Sequence, residues 1–229
     1  EFTMLEAYQS WGDQFTIAAM TRDLIVNAAD ALGVDSVQTP AGEVYLTGEW
    51  AWLSVYPGLS DALGEEIIPD TPVERLRAIA DARGIEYDPA WIDQKLVMEL
   101  FGEIVEPTLV QPTFVNGYPA IAQPLARNNP YDSRLVEAWD LIIGGVERGT
   151  GFSELIDPVI QREVLVAQSL KAAAGDLEAM QLDEDFLRAL EFGAPPMGGM
   201  GLGIDRTIML FTGAGIRETI LFPLLKPQG

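Results

Sequence analysis

Between residues 198 and 203 glycine occupies all but two positions: Gly198-Gly199-Met200-Gly201-Leu202-Gly203. On a strand, Gly199, Gly201 and Gly203 point the same way, so one face carries no side chains. A flat ligand can lie directly against such a backbone. Ile204-Asp205-Arg206 follows and reads as the start of a helix, with Asp205 able to cap it and Arg206 in its first turn. A guanidinium there meets a phosphate already favoured by the helix N-terminus. The run is neither a GxxxxGK[ST] loop nor a GxGxxG in a βαβ setting. The same spacing also suits a tightly packed strand-to-helix corner with a surface arginine.

A second glycine pair fixes a hairpin. Residues 138–143 and 146–152 are strand-like and meet at Gly144-Gly145, a two-residue turn signal. With that loop Ile142 pairs with Glu147, and Asp140 lies two residues from Ile142 on the same face. Asp140 and Glu147 are then diagonal neighbours, near enough to share a divalent cation; two unrelated solvated carboxylates remain the plainer alternative. Thr150, Phe152 and Glu154 share parity further along the second strand. At the other end of the chain an opening strand puts Phe2, Glu6 and Tyr8 on one face. Carboxylates for charge and aromatic rings for an aliphatic stem suit an ammonium group, although core packing also explains the rings.

Between these elements the periodicity predicts a helix through Ile17, Met20, Leu24, Ala28 and Ala31, stopped by Gly33. Residues 36–70 are rich in turns and aromatics without a clear period. Thr71-Pro72-Val73-Glu74 reads as a capping box opening a helix to about Arg83. Another helix covers residues 91–102. Residues 109–115 read as a strand that Pro112 assigns to an edge or an irregular position. Asp157-Pro158 opens a helix to about Ala174, Asp183 opens one through Leu190, and the tail is again apolar. The whole reads as α+β, with a mixed, mainly antiparallel sheet flanked by helices.

Composition removes whole classes of chemistry. The 229 residues contain no Cys and no His, which excludes disulfides, thiolate zinc sites and Ser-His-Asp hydrolysis. A cytoplasmic location is permitted. Lys and Arg total 14 against 35 Asp and Glu, a net charge of −21, which argues against this piece alone gripping a phosphate backbone. No stretch of about twenty apolar residues is present, so no membrane span is expected. The start, Glu1-Phe2-Thr3-Met4, reads as a cut inside a longer protein.

These segments resemble the class IIb lysyl-tRNA synthetases, in the right order and over essentially the whole chain. Glu1-Phe2-Thr3-Met4-Leu5-Glu6-Ala7-Tyr8 is similar to the end of their motif 2. Gln111-Pro112-Thr113-Phe114-Val115 and Pro124-Leu125-Ala126-Arg127 resemble the middle of their catalytic domain, and Gly151-Phe152-Ser153-Glu154-Leu155-Ile156-Asp157-Pro158 their ATP-and-lysine hairpin. Gly201-Leu202-Gly203-Ile204-Asp205-Arg206 resembles motif 3, and Ile216-Arg217-Glu218-Thr219-Ile220-Leu221-Phe222-Pro223 the C-terminal tail.

The resemblance implies a class II synthetase catalytic domain over residues 1–229, with an insertion-like region at about 36–105. It implies ATP-dependent activation of lysine to lysyl-adenylate and transfer to tRNA(Lys), with ATP as substrate and Mg²⁺ as cofactor. Phe2 would stack on adenine beside Gly203, and Arg206 would clamp the γ-phosphate and serve as the catalytic residue. Glu6, Tyr8, Thr150, Phe152 and Glu154 would hold lysine, and Asp140 and Glu147 the metal. Motif 1, the motif 2 arginine and the N-terminal anticodon-binding domain are not in the sequence; a homodimer is implied when motif 1 is present, and the fragment alone is expected to be inactive. Thr150 stands where most members have Asn, Val146 where a polar or larger residue is usual, and Gln123 replaces the usual Ser. The readings weighed beside this one are the synthetase-like part of a lysyl-phosphatidylglycerol-producing protein, the paralogue that lysylates elongation factor P, and a non-catalytic lysine- or nucleotide-binding paralogue. Simple alternation sets Glu147 on the opposite face from Thr150 and Glu154, so a bulge or twist is expected near Gly149.

Overall fold

A computed structural model describes residues 2–173, 175 and 179–224 of the protein. Glu1 and Ala174, which end two of the segments read above, lie outside the described residues. The chain opens with β1 (Met4–Ser10) and α1 (Gln14–Leu32). Asp13 starts the helix by accepting from the Phe15 and Thr16 amides, and Gly33 ends it in the left-handed conformation. Then come β2 (Ser36–Thr39), β3 (Gly42–Tyr45), β4 (Ala51–Ser54), α2 (Val55–Leu63), α3 (Val73–Arg83) and α4 (Asp93–Ile104). The second half holds β5 (Thr113–Asn116), β6 (Ala138–Ile143), β7 (Val146–Ser153), α5 (Pro158–Ala173), α6 (Glu184–Glu191), β8 (Met197–Gly203), α7 (Ile204–Thr212) and α8 (Ile216–Thr219).

Six strands form one sheet in the order β1-β8-β7-β6-β5-β4, antiparallel except for the β4–β5 pair; β2 and β3 form a separate hairpin. The expected α+β architecture with a mainly antiparallel sheet is therefore present. Directly opposed residues of an antiparallel pair share a face, so the register divides the sheet cleanly. Leu5 and Ala7 of β1, Met200 and Leu202 of β8, Trp139 and Leu141 of β6 and Phe114 of β5 face α1 and form one core with Ile17, Ile25 and Ala29. On the opposite face Val115, Ala138 and Ile142 pack under α2, α3 and α4 with Leu59, Leu76, Leu96 and Leu100. That helical cover lies over β4 to β6, which leaves the β7–β8–β1 half of the same face as the open floor of a cleft.

Glycine is required where layers approach closely. A Cβ at Gly151 would overlap the Trp139 indole, and one at Gly198 would overlap the Asp13 backbone. Gly151→Ala is expected to destabilise the fold by about 1–3 kcal/mol through overpacking, read as a fall in denaturation midpoint with an unchanged m-value.

Two local expectations are corrected and two open ones are settled. Thr71 does not cap α3: its hydroxyl accepts from the Ile68 amide, and Pro72 stands at the N-cap. Asp205 does not cap α7, whose N-cap is Gly203; Asp205 is buried, and its Oδ2 accepts from the Thr3 amide at 2.7 Å, tying the residue before β1 to the first turn of α7. Of the two positions open to Pro112 the irregular one holds: it immediately precedes β5, an interior strand, and its carbonyl accepts from the Ala51 amide. Residues 36–70, which show no period, contain β2, β3, β4 and α2. The three strands there have four residues each, too few for an alternation to register.

Candidate active site

The hairpin turn forms as read, with Gly144 at φ 65° and Gly145 at φ 69°. Leu141 pairs with Gly149 but Ile142 pairs with Glu147, so Arg148 is the extra residue of a β-bulge. The bulge resolves the parity conflict. Ile142 and Asp140 share a face, Glu147 lies opposite Ile142, and Thr150 lies opposite Asp140. Glu147, Thr150 and Phe152 are thus on one face despite their odd and even numbers.

Across the sheet the register adds the rest. Thr150 and Phe152 face Gly201 and Gly199, which in turn face Glu6 and Tyr8. The bare glycine stripe is the floor, with Glu6 and Tyr8 along one side and Thr150 and Phe152 along the other. A Cβ at Gly199 would overlap Glu154 Oε1 and press on the Tyr8 ring at 2.8 Å, whereas one at Gly201 would meet only the tip of Met4. Glycine at 199 is therefore what admits the Glu154 carboxylate.

At this end of the cleft the Tyr8 hydroxyl donates to Glu6 Oε2 at 3.3 Å. Glu154 Oε1 is buried and accepts no hydrogen bond. Burial, with the Glu6 charge adding, pushes the Glu154 carboxyl up to about 7. Tyr8 is raised by burial and by the Glu6 and Glu154 charges. Two carboxylates, one of them desolvated and unpartnered, make a receptor for a cation with an apolar stem.

At the other end burial lifts Asp140 to about 6; the Thr150 and Tyr118 hydroxyls oppose this, and Glu147 and Glu106 add to it. Arg206, half exposed, donates from Nη1 to the Glu147 carbonyl at 3.0 Å and lies 3.4 Å from Glu147 Oε1. Glu106 is raised by burial and by Glu147, with Arg206 opposing. No cluster of three or more His, Cys, Asp or Glu arranged to hold a metal occurs among the described residues. Asp140 and Glu147 do present hard oxygen donors whose repulsion a divalent cation would relieve. Such a pair would suit a hard divalent cation and is too small to form a closed protein cage.

Every residue proposed from sequence falls on this floor or its rim except Phe2. That side chain is 73% exposed ahead of β1, with Gly203 opposite Met4 two residues further on. Thr150 Oγ1 donates to the Trp139 carbonyl at 3.3 Å. Three residues were not read from sequence: Tyr118, Glu106 and Arg148. Each enters through a contact between distant segments, and no local pattern marks it.

A family model described as tRNA synthetases class II (D, K and N) matches residues 1–226. The chain belongs to that family. A lysine–tRNA ligase of Kineococcus radiotolerans is 52% identical over all of this chain and 46% of its own length. A lysine–tRNA ligase of Mycobacterium tuberculosis is 51% identical over all of this chain and 47% of its own length. The lysylphosphatidylglycerol biosynthesis bifunctional protein LysX of Mycobacterium ulcerans is 48% identical over all of this chain and 21% of its own length. The chain thus spans about half the length of the ligases it matches. Among the described residues no helix is long and apolar enough to cross a membrane.

Proposed function

We propose that this class II chain carries the lysine-activating site of a lysine–tRNA ligase. The observation that supports the reading best is the Glu154 carboxylate, whose Oε1 is buried without a hydrogen-bond partner beside Gly199, with Glu6 and Tyr8 close by. A lysine ammonium supplies the missing donors, and its methylene stem lies along Tyr8 and Phe152. The substrate carboxylate is then presented toward the middle of the cleft, between the ammonium pocket and the Arg206 end.

The ligase reading implies a two-step reaction in which these residues bind and orient. The lysine carboxylate oxygen attacks the α-phosphorus of ATP, the bond to the β-phosphate oxygen breaks, and lysyl-adenylate and pyrophosphate form. A ribose hydroxyl at the tRNA(Lys) 3′ end then displaces AMP. With no His or Cys in the chain, the protein orients reactants and balances charge without supplying a nucleophile. Arg206 takes the γ-phosphate charge of a bent ATP, Phe2 covers the adenine beside Gly203, and the bare glycine floor lets the nucleotide lie against the sheet. Asp140 and Glu147 would hold Mg²⁺, which neutralises phosphate charge when bound. We read residues 36–105 as an insertion, and the setting as the cytoplasm, with tRNA(Lys) and a second subunit engaged by the intact protein. LysX, a relative named for lysylphosphatidylglycerol biosynthesis, matches over the whole chain. A protein of that kind would use the same lysine pocket, so the two readings part only at the final acceptor.

Two substitutions test the assignment. Arg206→Ala is expected to raise the ATP dissociation constant about 10–100-fold with little change in melting temperature, because its side chain is half exposed. A large fall in melting temperature would make it a packing residue instead. Glu6→Gln is expected to weaken lysine far more than ATP; equal losses would undo the pocket.

A further inference from the structure

Arg148, the extra residue of the bulge, is only 5% exposed. Its Nε and Nη2 donate to the Ile143 carbonyl at 3.2 and 3.1 Å, and its Nη1 donates to the Arg206 carbonyl at 2.8 Å. Arg206 answers by donating to the carbonyl of Glu147, the neighbour of Arg148. Each arginine thus grips the backbone beside the other, bracing the bulge against the first turn of α7.

No carboxylate among the described residues lies within ion-pair distance of Arg148, and its charged neighbour is another cation, Arg206. Burying an unpaired guanidinium is costly, and an apolar residue of similar size would serve packing at least as well. Stability alone therefore does not account for an arginine here. A polyanion on the open side of Arg206 does, because it gains from both charges and from a fixed Arg206.

We propose that Arg148 is a positioning residue for the nucleotide phosphates, setting the backbone from which Arg206 and Glu147 reach into the cleft and placing a second positive charge behind them. This rests on the reading of Arg206 as an ATP contact. Residues that orient ligand-binding groups in this way change affinity about 10–100-fold when removed.

The test is a double-mutant cycle on the intact gene product with MgATP and lysine titrated separately. Arg148→Leu is expected to weaken ATP about tenfold, leave lysine binding unchanged and keep or raise the melting temperature. Combined with Arg206→Ala it is expected to add clearly less than its own tenfold, because most of its effect passes through Arg206. ATP binding like the parent, losses that add in full, or equal losses for ATP and lysine each overturn the proposal. If Arg148→Leu does not fold, Arg148→Lys is decisive: a loss confined to ATP supports the role, and no loss or a shared loss overturns it. Unchanged ATP binding in Arg206→Ala alone identifies the failure as that of the nucleotide reading, and the proposal falls with it.

Discussion

Glu154→Gln is expected to lower lysine affinity by about a hundredfold or more while raising the melting temperature of the ligand-free protein at pH 8. Both effects come from one carboxylate. In the free protein Glu154 Oε1 is buried with no hydrogen-bond donor, and Glu6 stands nearby with the same charge. Neutralising it removes a desolvation cost that no partner offsets. With lysine bound the same group is half of a buried ion pair, and deleting one partner of such a pair typically costs about 3–5 kcal/mol. Isothermal titration with lysine and a thermal melt on the same sample check both effects. A variant that binds lysine normally would leave the ammonium pocket without support.

The second large effect is on pH. Burial raises Glu154 from its ordinary 4.5 to about 7 in the fold, and Asp140 from 3.8 to about 6. A carboxyl with a raised folded value binds its proton more tightly folded than unfolded. Its favourable contribution is therefore complete below the unfolded value and is lost as pH rises through the folded value. Unliganded stability should decline between about pH 4 and 7.5, by roughly 1–3 kcal/mol for each group. Asp13, held low by its helix-capping hydrogen bonds, works the other way, so stability also falls toward strongly acid pH. Chemical denaturation from pH 4.5 to 8.5 reads the slope directly. Lysine should flatten it by stabilising the charged form of Glu154 above pH 6, and Glu154→Gln should remove that group's share. A stability that rises steadily from pH 5 to 8 would contradict the desolvated-carboxylate account.

Much of the site was legible because it depends on strand parity. Alternate glycines at 199, 201 and 203 imply a bare floor, and the Gly144-Gly145 turn fixes the partner of Glu147. The clash of parity between Glu147 and Thr150 predicts a bulge, and the bulge lies at Arg148, one residue from the expected Gly149. What was not legible is tertiary competition for polar groups. Thr71 has the chemistry of a cap but spends its hydroxyl on the Ile68 amide, and Asp205 spends its carboxylate on Thr3, 202 residues away. Tyr118 and Glu106 approach Asp140 only because the segments on either side of β5 lie beside the hairpin, and one-dimensional spacing holds no record of that.

Lysine-dependent ATP–pyrophosphate exchange by the intact gene product tests the central claim most directly. The account predicts exchange that requires lysine, is not supported by arginine or ornithine, and disappears in Glu154→Gln. Exchange supported equally by arginine, or no exchange from a protein that still binds both ATP and lysine, would contradict it.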